Sequence, residues 1–531
     1  MACSDELVRS LMRPGVLPGA EGEVALIETH ISWVLLAGEH AWKLKKPLDL
    51  GFLDFSTPAR RRAACEDELR LNRRTAPEIY QAVVAVRGTP AAPRVDDDGH
   101  EEAHAGEGAP IDWLVRMRRF DQSALFSSLL AEGRLAPALF DRLARHVAEF
   151  HAGAARARPG EGYGDAEAVM APVRQNFAQV RARVDDAQML ALLDGVERWA
   201  EARFVELAPL FDARLAAGMV RECHGDLHLG NLIVLDDGPR LFDAIEFSAA
   251  LRWIDVVADV AFLVMDLQVR GEAGLGWRFL NAWLERCGDY EGLALLPWYL
   301  SYRAMVRAKV AAIRSAQLAD AARAEALAEC RRYLGFAAGC ARPGAPSLLI
   351  ASGVSGAGKT SQSQPLLEAR GLIRVRADVE RKRLFGLAPE DASGSTPDAG
   401  LYTAEASART YDRLAELARS VAAAGYPVLV DATFLKRAQR ERFHGLAGAL
   451  GIPFAILAFE APPALLRERV RRRAAEGRDA SEADEAVLAG QLAAREPLDA
   501  AEAAFALEID TGGAPDWAVL LPRFDALCGS G

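Results

Sequence analysis

The sequence contains few cysteines, no long apolar run and no excess of positive charge. Its seven cysteines are scattered among 531 residues and include no Cys-x-x-Cys pair. This distribution argues against a disulfide framework and is typical of reduced thiols in the cytoplasm. The most apolar stretch, VVADVAFLVMDL, is interrupted by Asp259 and Asp266 and is too short to span a bilayer. The opening residues, MACSDELVRSLMRPG, lack the apolar core of a signal peptide. We therefore expect a soluble cytoplasmic protein.

The charge balance restricts the classes of partner. The formal net charge is −11, which argues against broad binding to nucleic acid or anionic membranes, although a local basic pocket can still hold phosphates. Hydrophobic residues make up 51% and charged residues 26% of the chain, as in ordinary soluble proteins. A chain of this length exceeds one ordinary hydrophobic core, so we expect two or three domains.

The first part of the chain changes from a strand pattern to a helix pattern. Apolar residues alternate between about 24 and 50, which predicts strands, and an arginine-rich helix follows from about Thr57. A polar span from about Asp96 to Pro110 predicts a hairpin loop between two further strands. From Ser123 the pattern is mainly helical. A small β-rich lobe followed by a large helical lobe is therefore predicted.

The segment CARPGAPS predicts a linker, because two prolines and a glycine interrupt the helical pattern. It separates a first domain over 1–340, with lobes at about 20–121 and 122–340, from a second domain over 348–531. The linker itself covers 341–347, and we expect the two halves to be separable folding units. After it, the short apolar runs LLIASG, IRVRAD, PVLVDA and FAILAFE alternate with helical segments, which predicts a parallel α/β sheet.

The stretch RECHGDLHLGNLIVLDDGPRLFDAIEF permits two interpretations. His224, Asp226 and His228 are chemically suitable metal ligands. However, Asp226 is followed five positions later by Asn231, so the run matches the kinase catalytic loop H-R-D-L-x-x-x-N in spacing. The next hairpin ends at Asp243. One carboxylate for the acceptor hydroxyl, plus an amide and a second carboxylate for Mg²⁺, are the parts that phosphoryl transfer needs. The kinase interpretation is therefore favoured over the metal site.

These motifs resemble the aminoglycoside phosphotransferase and choline kinase group of small-molecule kinases, which carry H-G-D-x-x-x-x-N. The resemblance covers about 25–339. It implies that Asp226 is the catalytic base, that Asn231 and Asp243 bind Mg²⁺, and that Glu246 assists at the same site.

A lysine for the nucleotide phosphates is expected in the segment AWKLKKP. Lys43 and Lys45 lie on one face of the predicted strand, and Lys43 fits the A-x-K part of the kinase pattern; the choice between them stays open. Glu66 and Glu68 on the following helix compete as the ion-pair partner, with Glu68 preferred. No G-x-G-x-x-G precedes the lysine strand. The segment VRMRRF around Met117 is predicted to form the hinge and to contribute to nucleotide binding.

A second nucleotide site is predicted by GVSGAGKT, which matches G-x-x-x-x-G-K-[ST] and follows the apolar strand SLLIAS. Backbone N–H groups of such a glycine-rich turn hold phosphates, the lysine reaches the β- and γ-phosphates, and the threonine hydroxyl coordinates Mg²⁺. The predicted nucleotide-binding residues are Gly353, Ser355, Gly356, Gly358, Lys359 and Thr360.

Residues after the glycine-rich turn favour a kinase. A second strand is predicted to end at Asp378, with Arg381 three residues later, and a third to end at Asp431. A small kinase needs an acid for the acceptor, an acid for Mg²⁺ and lid arginines for the transition-state charge. This segment resembles the P-loop kinases grouped with polynucleotide kinase, gluconate kinase and zeta toxin. The resemblance implies that Asp378 activates the acceptor, that Arg381 binds it, and that Arg469, Arg472 or Arg473 closes on the phosphates.

The predicted fold class is an α+β protein-kinase-like bilobal domain followed by an α/β P-loop domain with a mostly parallel sheet. The layout resembles bacterial phosphotransferase/ATP-binding fusions. ATP and Mg²⁺ are the expected cofactors, and a small-molecule hydroxyl is the expected acceptor, with no membrane partner. Three functions stay open: a bifunctional small-molecule kinase, one active kinase regulated by an NTP-binding switch domain, and a nucleic-acid end-processing kinase.

Overall fold

The structure, a computed structural model, describes residues 2–49, 53–96, 109–391, 393, 401, 403–476 and 479–529. The chain divides into two compact units. Unit 1 comprises Met1–Gln175 and Phe204–Leu263, and unit 2 comprises Asn176–Arg203 and Val264–Gly531. This division falls within helices and not at the proline-glycine segment, so the domain boundaries inferred from the sequence stay a prediction.

Unit 1 contains a six-stranded antiparallel sheet in the order β1-β2-β3-β6-β4-β5. Its strands are β1 (Ala25–Glu28), β2 (Ser32–Ala37), β3 (His40–Lys45), β4 (Tyr80–Thr89), β5 (Ala92–Val95) and β6 (Asp112–Arg118). One face packs against helix α1 (Ala2–Leu11) through buried side chains that include Leu11, Trp42 and Leu114. The predicted hairpin loop falls largely on 97–108, outside the described residues, and the sequence did not indicate β5.

Helix α2 (Pro58–Asn72) follows the first three strands. Thr57 is its N-cap and accepts a hydrogen bond from Arg60 N, and Pro58 occupies the first turn, where a missing N–H is tolerated. The helix places Glu68 on its buried face. The predicted arginine-rich helix therefore presents one acid toward the sheet.

The chain then alternates between helices and two short antiparallel ribbons. These elements are α3 (Phe126–Ala131), α4 (Ala138–Gly153), α5 (Ala166–Arg181), α6 (Ala187–Ala216), β7 (Val220–Glu222), β8 (Leu232–Leu235), β9 (Gly238–Leu241), α7 (Ala249–Arg252), β10 (Trp253–Asp255) and α8 (Val256–Val269). Strands β8 and β9 form a hairpin, and β7 pairs with β10. Among the described residues, no helix has both the length and the apolar character needed to cross a bilayer.

Unit 2 contains helices and a five-stranded sheet that is parallel throughout, in the order β12-β13-β11-β14-β15. The elements are α9 (Ala273–Cys287), α10 (Leu296–Ser315), α11 (Asp320–Gly339), β11 (Leu348–Ser352), α12 (Lys359–Gln362), α13 (Gln364–Arg370), β12 (Ile373–Arg376), α14 (Ala377–Leu384), α15 (Ala404–Ala423), β13 (Val428–Asp431), α16 (Arg437–Leu450), β14 (Phe454–Glu460), α17 (Pro463–Glu476), α18 (Glu485–Ala494), α19 (Ala500–Ala503), β15 (Ala506–Asp510) and α20 (Trp517–Cys528). The predicted fold class is confirmed.

Two details of this sheet differ from the sequence prediction. Strand β12 ends at Arg376, so Asp378 lies in the first turn of α14 and not at the end of a strand. A carboxylate in the first helical turn is favoured by the N–H groups exposed there, which explains the earlier helix start. Strand β15 was not predicted, because its pattern, ALEID, is short and mixed.

Candidate active sites

Two lysines of β3 meet acidic groups in the interior of unit 1. Lys43 Nζ donates to Glu68 Oε1 at 2.8 Å and to Asp243 Oδ1 at 2.6 Å. Lys45 Nζ donates to Glu68 Oε2 at 2.6 Å and also to Glu246. Glu68 therefore joins both lysines, and each lysine joins α2 to the segment after β9. Lys43 and Lys45, the two alternatives from the sequence, differ in their second partner, which is Asp243 for Lys43 and Glu246 for Lys45.

Because this cluster is buried, the pKa of each member depends strongly on the charges of the others. Burial alone would raise the pKa of Glu68, but the ammonium groups of Lys43 and Lys45 outweigh it and lower that pKa. Burial alone would lower the pKa of Lys43, but Asp243, Glu68 and Glu246 raise it well above its ordinary value. Lys43 and Lys45 therefore stay charged, and removing one partner would leave a buried charge uncompensated.

The competing residues of the same segments form other ion pairs. Glu66 pairs with Arg62 at 2.8 Å one helical turn away, and both side chains are largely exposed. Lys46 pairs with Glu28 at 2.6 Å. Of the two acids that the sequence offered, Glu68 is the one that reaches the lysines.

The loop between β7 and β8 holds Asp226 through hydrogen bonds from its neighbours. Asn231 Nδ2 donates to Asp226 O at 3.0 Å and to Asp226 Oδ2 at 2.9 Å, which leaves the Asn231 amide oxygen as its remaining ligand atom. His228 Nε2 lies 3.3 Å from Asp226 Oδ2. About a third of the Asp226 side chain is exposed. A partly exposed, oriented carboxylate can accept a proton from an approaching hydroxyl.

The histidines of this loop support its backbone. His224 Nδ1 accepts from Asp226 N at 3.3 Å, and its Nε2 lies 2.9 Å from Phe242 O. Burial lowers the pKa of His224, although Asp259 and Asp226 act in the opposite direction. His228 Nδ1 accepts from Gly230 N at 3.0 Å. These ring nitrogens contact protein atoms, which argues against the metal interpretation of the triplet.

Asp259 supports the loop from α8. Its carboxylate accepts from His224 N at 3.1 Å and from Gly225 N at 2.9 Å, and it lies 3.1 Å from His151 Nε2. In the described part of the chain, the group of three metal-ligand side chains that converge is His151, Cys223 and Asp259. It differs from the triplet that the sequence suggested, and its carboxylate already accepts two backbone N–H groups.

Asp243 has a left-handed backbone conformation, with φ of 61°, which is uncommon for a residue other than glycine. Its N–H donates to the Tyr80 hydroxyl at 3.1 Å, and Ala244 N donates to Asn72 Oδ1 at 2.9 Å. Asn72 Nδ2 donates in turn to Glu68 O at 2.9 Å. Neighbouring side chains therefore hold this backbone in a conformation that it would otherwise rarely adopt, and they fix the carboxylate against Lys43.

Met117 lies in β6, paired with Ala41 of β3 and Tyr80 of β4, and it is almost fully buried. A cavity of about 700 Å³ begins at the next residue. Its lining residues are Leu36, Glu39, Arg118, Arg119, Phe120, Asp121 and Gln122. The predicted role of Met117 in nucleotide binding stays a prediction.

The glycine-rich turn of unit 2 lies between β11 and α12. Thr360 Oγ1 donates to Asp431 Oδ2 at 2.5 Å, which brings a hydroxyl and a carboxylate together at the carboxyl end of the sheet. Lys359 Nζ donates to Gly353 O at 2.9 Å and to Val354 O at 3.2 Å. Burial lowers the pKa of Lys359, although Asp431 and Asp378 oppose the shift.

The turn requires glycine at Gly356. This residue has a φ of 82°, and an added Cβ would lie 2.8 Å from Leu466 O. Helix α17 therefore packs directly against the turn. Ser355 N donates to Gln491 Oε1 at 2.7 Å, so α18 contacts the same turn.

A cavity of about 590 Å³ opens beside this turn and is rich in arginine. Arg469 donates to Gly356 O at 3.2 Å and to Thr511 O at 2.6 Å, and Arg473 donates to Ala483 O at 3.1 Å. The lining also includes Arg376, Arg381 and Arg472. Such a cluster attracts anions, phosphates above all.

Asp378 and Arg381 line the same cavity. Arg381 Nη1 lies 3.3 Å from Asp378 Oδ1, one turn along α14. The structure thus brings together the residues that the sequence selected in this domain, namely those of the glycine-rich turn with Asp378, Arg381, Asp431, Arg469 and Arg473.

Sequence reasoning missed the residues that support these sites from a distance. In unit 1 these are Tyr80 and Asn72. The support that Asp259 gives to the catalytic loop was also missed, since from the sequence this acid could equally bind a cationic acceptor or cap or pair within helices. The visible signal for Asp259 was an acid inside an otherwise apolar stretch. In unit 2 the missed residue is Arg376. Its position as an arginine at the end of an apolar strand could have indicated it.

Comparisons with known proteins agree with this division of motifs. Residues 52–296 match the phosphotransferase enzyme family, and residues 348–498 match the AAA domain family. The predicted combination of a phosphotransferase-type kinase domain with a P-loop domain is confirmed by these matches. They support the assignment of the chain as a phosphotransferase.

The chain also resembles individual proteins. An uncharacterised protein of Mycobacterium bovis and one of Mycobacterium tuberculosis are each 29% identical over 469 residues, which covers 88% of this chain and 89% of the relative. A choline/ethanolamine kinase family protein from Mesorhizobium loti is 12% identical with a TM-score of 0.36, covering 64% of this chain and 99% of that one. A sugar kinase from a Janibacter species is 22% identical with a TM-score of 0.27, covering 34% of this chain and 94% of that one.

Proposed function

We propose that the protein is an ATP-dependent phosphotransferase with two nucleotide sites, each of which transfers the γ-phosphate to a hydroxyl of a small molecule. The observation that carries the proposal is the contact of Lys43 with both Glu68 and Asp243, at 2.8 Å and 2.6 Å. Phosphoryl transfer by a kinase requires a charged lysine that is paired with a glutamate on a helix and lies beside the aspartate that binds Mg²⁺. Lys43, Glu68 and Asp243 have this arrangement.

In unit 1, Asp226 orients the acceptor hydroxyl and accepts its proton. Asn231 holds the Asp226 carboxylate at 2.9 Å, which keeps it aimed at the acceptor. Lys43 is the better candidate than Lys45 for the phosphates, because it contacts Asp243 whereas Lys45 is fully buried between two glutamates.

Mg²⁺ fits the oxygen atoms present at both sites. In unit 1 the ligands would be the Asn231 amide oxygen and the Asp243 carboxylate, whose side chain is 42% exposed. In unit 2 they would be the Thr360 hydroxyl and, through water, Asp431. Hard oxygen ligands of this kind suit Mg²⁺, which when bound neutralises charge on the nucleotide phosphates.

In unit 2, the backbone N–H groups of the glycine-rich turn hold the phosphates, and Lys359 turns from the loop carbonyls toward them. Asp378 orients the acceptor, and Arg381 binds an anionic group on it. Arg469 and Arg473, which line the same cavity, act on the phosphates. The acids and arginines around one cavity support a transferase more than a switch, which needs only the phosphate and Mg²⁺ ligands.

The test is transfer of labelled phosphate from ATP to fractionated small metabolites by the full chain. We expect Asp226→Asn to remove one labelled product and Asp378→Asn to remove another, each by a factor of about 10² to 10⁴, with nucleotide binding retained. If Asp378→Asn changes no product, unit 2 is instead an NTP-binding switch. If no metabolite is labelled, and oligonucleotides offered in their place are labelled at their ends, end processing would be favoured.

We also propose a cytoplasmic location. It is supported by the cysteines that the structure describes, which are free: Cys65, Cys223, Cys287, Cys330, Cys340 and Cys528.

A further inference from the structure

Helix α9 contacts the outer edge of β12 within unit 2. Asn281 Nδ2 donates to Leu372 O at 2.8 Å, and Arg374 N donates to Asn281 Oδ1 at 2.7 Å. The Tyr290 hydroxyl, just after α9, donates to Arg374 O at 3.3 Å. The helix lies within 52–296, the segment that matches the phosphotransferase enzyme family, whereas β12 lies within the segment that matches the AAA domain family. A helix from one matched segment therefore binds the edge strand of the sheet in the other.

Glu285, one turn after Asn281, holds two arginines of β12. Its Oε1 accepts from Arg374 Nε at 3.0 Å and from Arg374 Nη2 at 2.9 Å, and its Oε2 accepts from Arg376 Nη1 at 3.4 Å. The Glu285 side chain is 16% exposed, and those of Arg374 and Arg376 are 9% and 15% exposed. One carboxylate thus holds the side chains of Arg374 and Arg376, which are two positions apart and lie on the same face of β12.

Each of the two arginines also contacts or lines the nucleotide site. Arg374 Nη1 donates to Thr360 O at 2.8 Å, which ties the start of α12 to β12. Arg376 lines the cavity beside the glycine-rich turn, pairs in register with Asp431, and donates to Asp479 Oδ1 at 2.9 Å. Glu285 is therefore one side chain away from the backbone of Thr360 and one side chain away from the phosphate cavity.

The geometry points to Glu285 as a positioning residue of the unit 2 nucleotide site, acting through Arg374 on the glycine-rich turn and through Arg376 on the γ-phosphate. The inference rests on the proposed nucleotide site in unit 2. It means that this site is incomplete without a helix from the segment matched to the phosphotransferase family.

The charges of the three residues are consistent with this role. Burial alone would raise the pKa of Glu285, but Arg374 and Arg376 outweigh it and lower that pKa. Burial alone would lower the pKa of Arg376, but Glu285, Asp479 and the acids of the cavity raise it. The Glu285 carboxylate and the Arg376 guanidinium therefore stay ionised, and replacing Glu285 by a neutral residue would free Arg376 to reorient.

The position of Arg376 predicts which nucleotide loses affinity. The guanidinium is at the carboxyl end of β12 beside Asp431, whereas the α- and β-phosphates are held by the backbone of the glycine-rich turn. Loss of Glu285 should therefore weaken ATP more than ADP, because both nucleotides use the turn that Arg374 contacts but only ATP carries the γ-phosphate that Arg376 would bind. A general loosening of α9 against the sheet would weaken both nucleotides alike.

The experiment uses the full chain and photoreactive azido-ATP and azido-ADP, with mass spectrometry to identify the labelled peptide and so to separate the two nucleotide sites. Labelling of peptides that contain the glycine-rich turn is titrated for the wild type and Glu285→Gln. We expect azido-ATP affinity to fall about tenfold and azido-ADP affinity to fall about twofold or less. Once Arg374→Gln and Arg376→Gln are present, adding Glu285→Gln should have no further effect.

The matched control is Arg278→Gln, which removes the 2.9 Å ion pair of Arg278 with Glu368 on α13 but keeps the contacts of Glu285 with Arg374 and Arg376. It should keep wild-type affinity for both nucleotides. Equal affinities of Glu285→Gln and wild type, equal losses for ATP and ADP, or additive effects in the combined variant would overturn the inference. If Glu285→Gln does not fold, Glu285→Asp is measured instead and must show the same selective loss. Absence of labelling in the wild type would instead refute the proposed nucleotide site.

Discussion

Lys43 Nζ lies 2.6 Å from Asp243 Oδ1, although the two residues are 200 positions apart in the chain. The same ammonium group lies 2.8 Å from Glu68 Oε1. The Lys43 ammonium group thereby connects strand β3, helix α2 and the segment after β9. This is the point where Asp243, the proposed Mg²⁺ ligand, would meet the nucleotide phosphates.

The first prediction separates metal binding from acceptor chemistry. Asp243→Asn keeps a residue type that tolerates the left-handed backbone but removes the negative charge, so we expect the affinity of unit 1 for Mg·ATP to fall about tenfold or more. Asp226→Asn should change it less than about threefold, because the proposed base contacts no phosphate. Site-resolved labelling with azido-ATP over a range of Mg²⁺ concentrations measures both. Asp236→Asn, at an exposed turn, is the control; equal effects of the two site variants would contradict the assigned roles.

The second prediction separates Lys43 from Lys45. Lys45→Met leaves Glu246 and one oxygen of Glu68 buried without their cation, so unfolding should become easier by about 3 to 5 kcal/mol. Lys43→Met should cost less stability, because Glu68 keeps Lys45 and Asp243 is partly exposed, but it should weaken ATP binding strongly. Urea unfolding and nucleotide titration of both variants test this. A stable Lys45→Met protein that has lost ATP binding would reverse the assignment.

The third prediction concerns the backbone of the glycine-rich turn. Gly356→Ala forces a Cβ to within 2.8 Å of Leu466 O at a φ of 82°, so the turn must deform and ATP affinity at unit 2 should fall at least about tenfold. Gly448→Ala, within α16, meets no atom within 4 Å and should leave binding unchanged while stabilising the helix by about 0.5 to 1 kcal/mol. Titration and thermal unfolding of the two variants measure the contrast; unaltered binding by Gly356→Ala would show that the turn does not hold the nucleotide.

The fourth prediction concerns pH. Burial lowers the pKa of His224 in the folded protein below the ordinary value of 6.5, so the unfolded chain takes up this proton at a higher pH than the folded one. The contribution of His224 to stability is therefore fully present above about pH 6.5 and is lost as the pH falls through the lowered pKa. His224→Gln should flatten the dependence of the unfolding free energy on pH in that range. His30→Gln, on the exposed turn after β1, should leave the dependence as in wild type.

The parts of the sites that are close in sequence could be predicted. Asp226, Asn231 and Asp243 occur in one short segment, and the glycine-rich turn is continuous, so spacing alone indicated their chemistry. The alternation of β3 also placed Lys43 and Lys45 on one face. It could not show that both would share Glu68, because that depends on how far α2 is rotated against the sheet.

The supporting contacts could not be predicted, because they depend on tertiary packing. Asn72 reaches Ala244 across 172 positions, and Asn281 reaches Arg374 across 93. Neither asparagine belongs to a recognisable motif, and a polar residue on a helix is more often exposed. Asp378 shows the opposite limit: the apolar pattern predicts a strand that ends at this residue, but β12 ends at Arg376 and Asp378 lies in the first turn of α14.

The Asn281 side chain presents to β12 one donor and one acceptor, as the backbone of an additional strand would. Because β12 is at the edge of the sheet, its outward N–H and C=O groups would otherwise be available to the backbone of another molecule. Helix α9 therefore covers part of this edge and opposes its pairing with a strand of another molecule. A chain truncated at the proline-glycine segment would expose the backbone of this edge and would leave Arg374 and Arg376 without Glu285, so the repulsion between their positive charges would be the remaining protection against pairing of β12 with another strand.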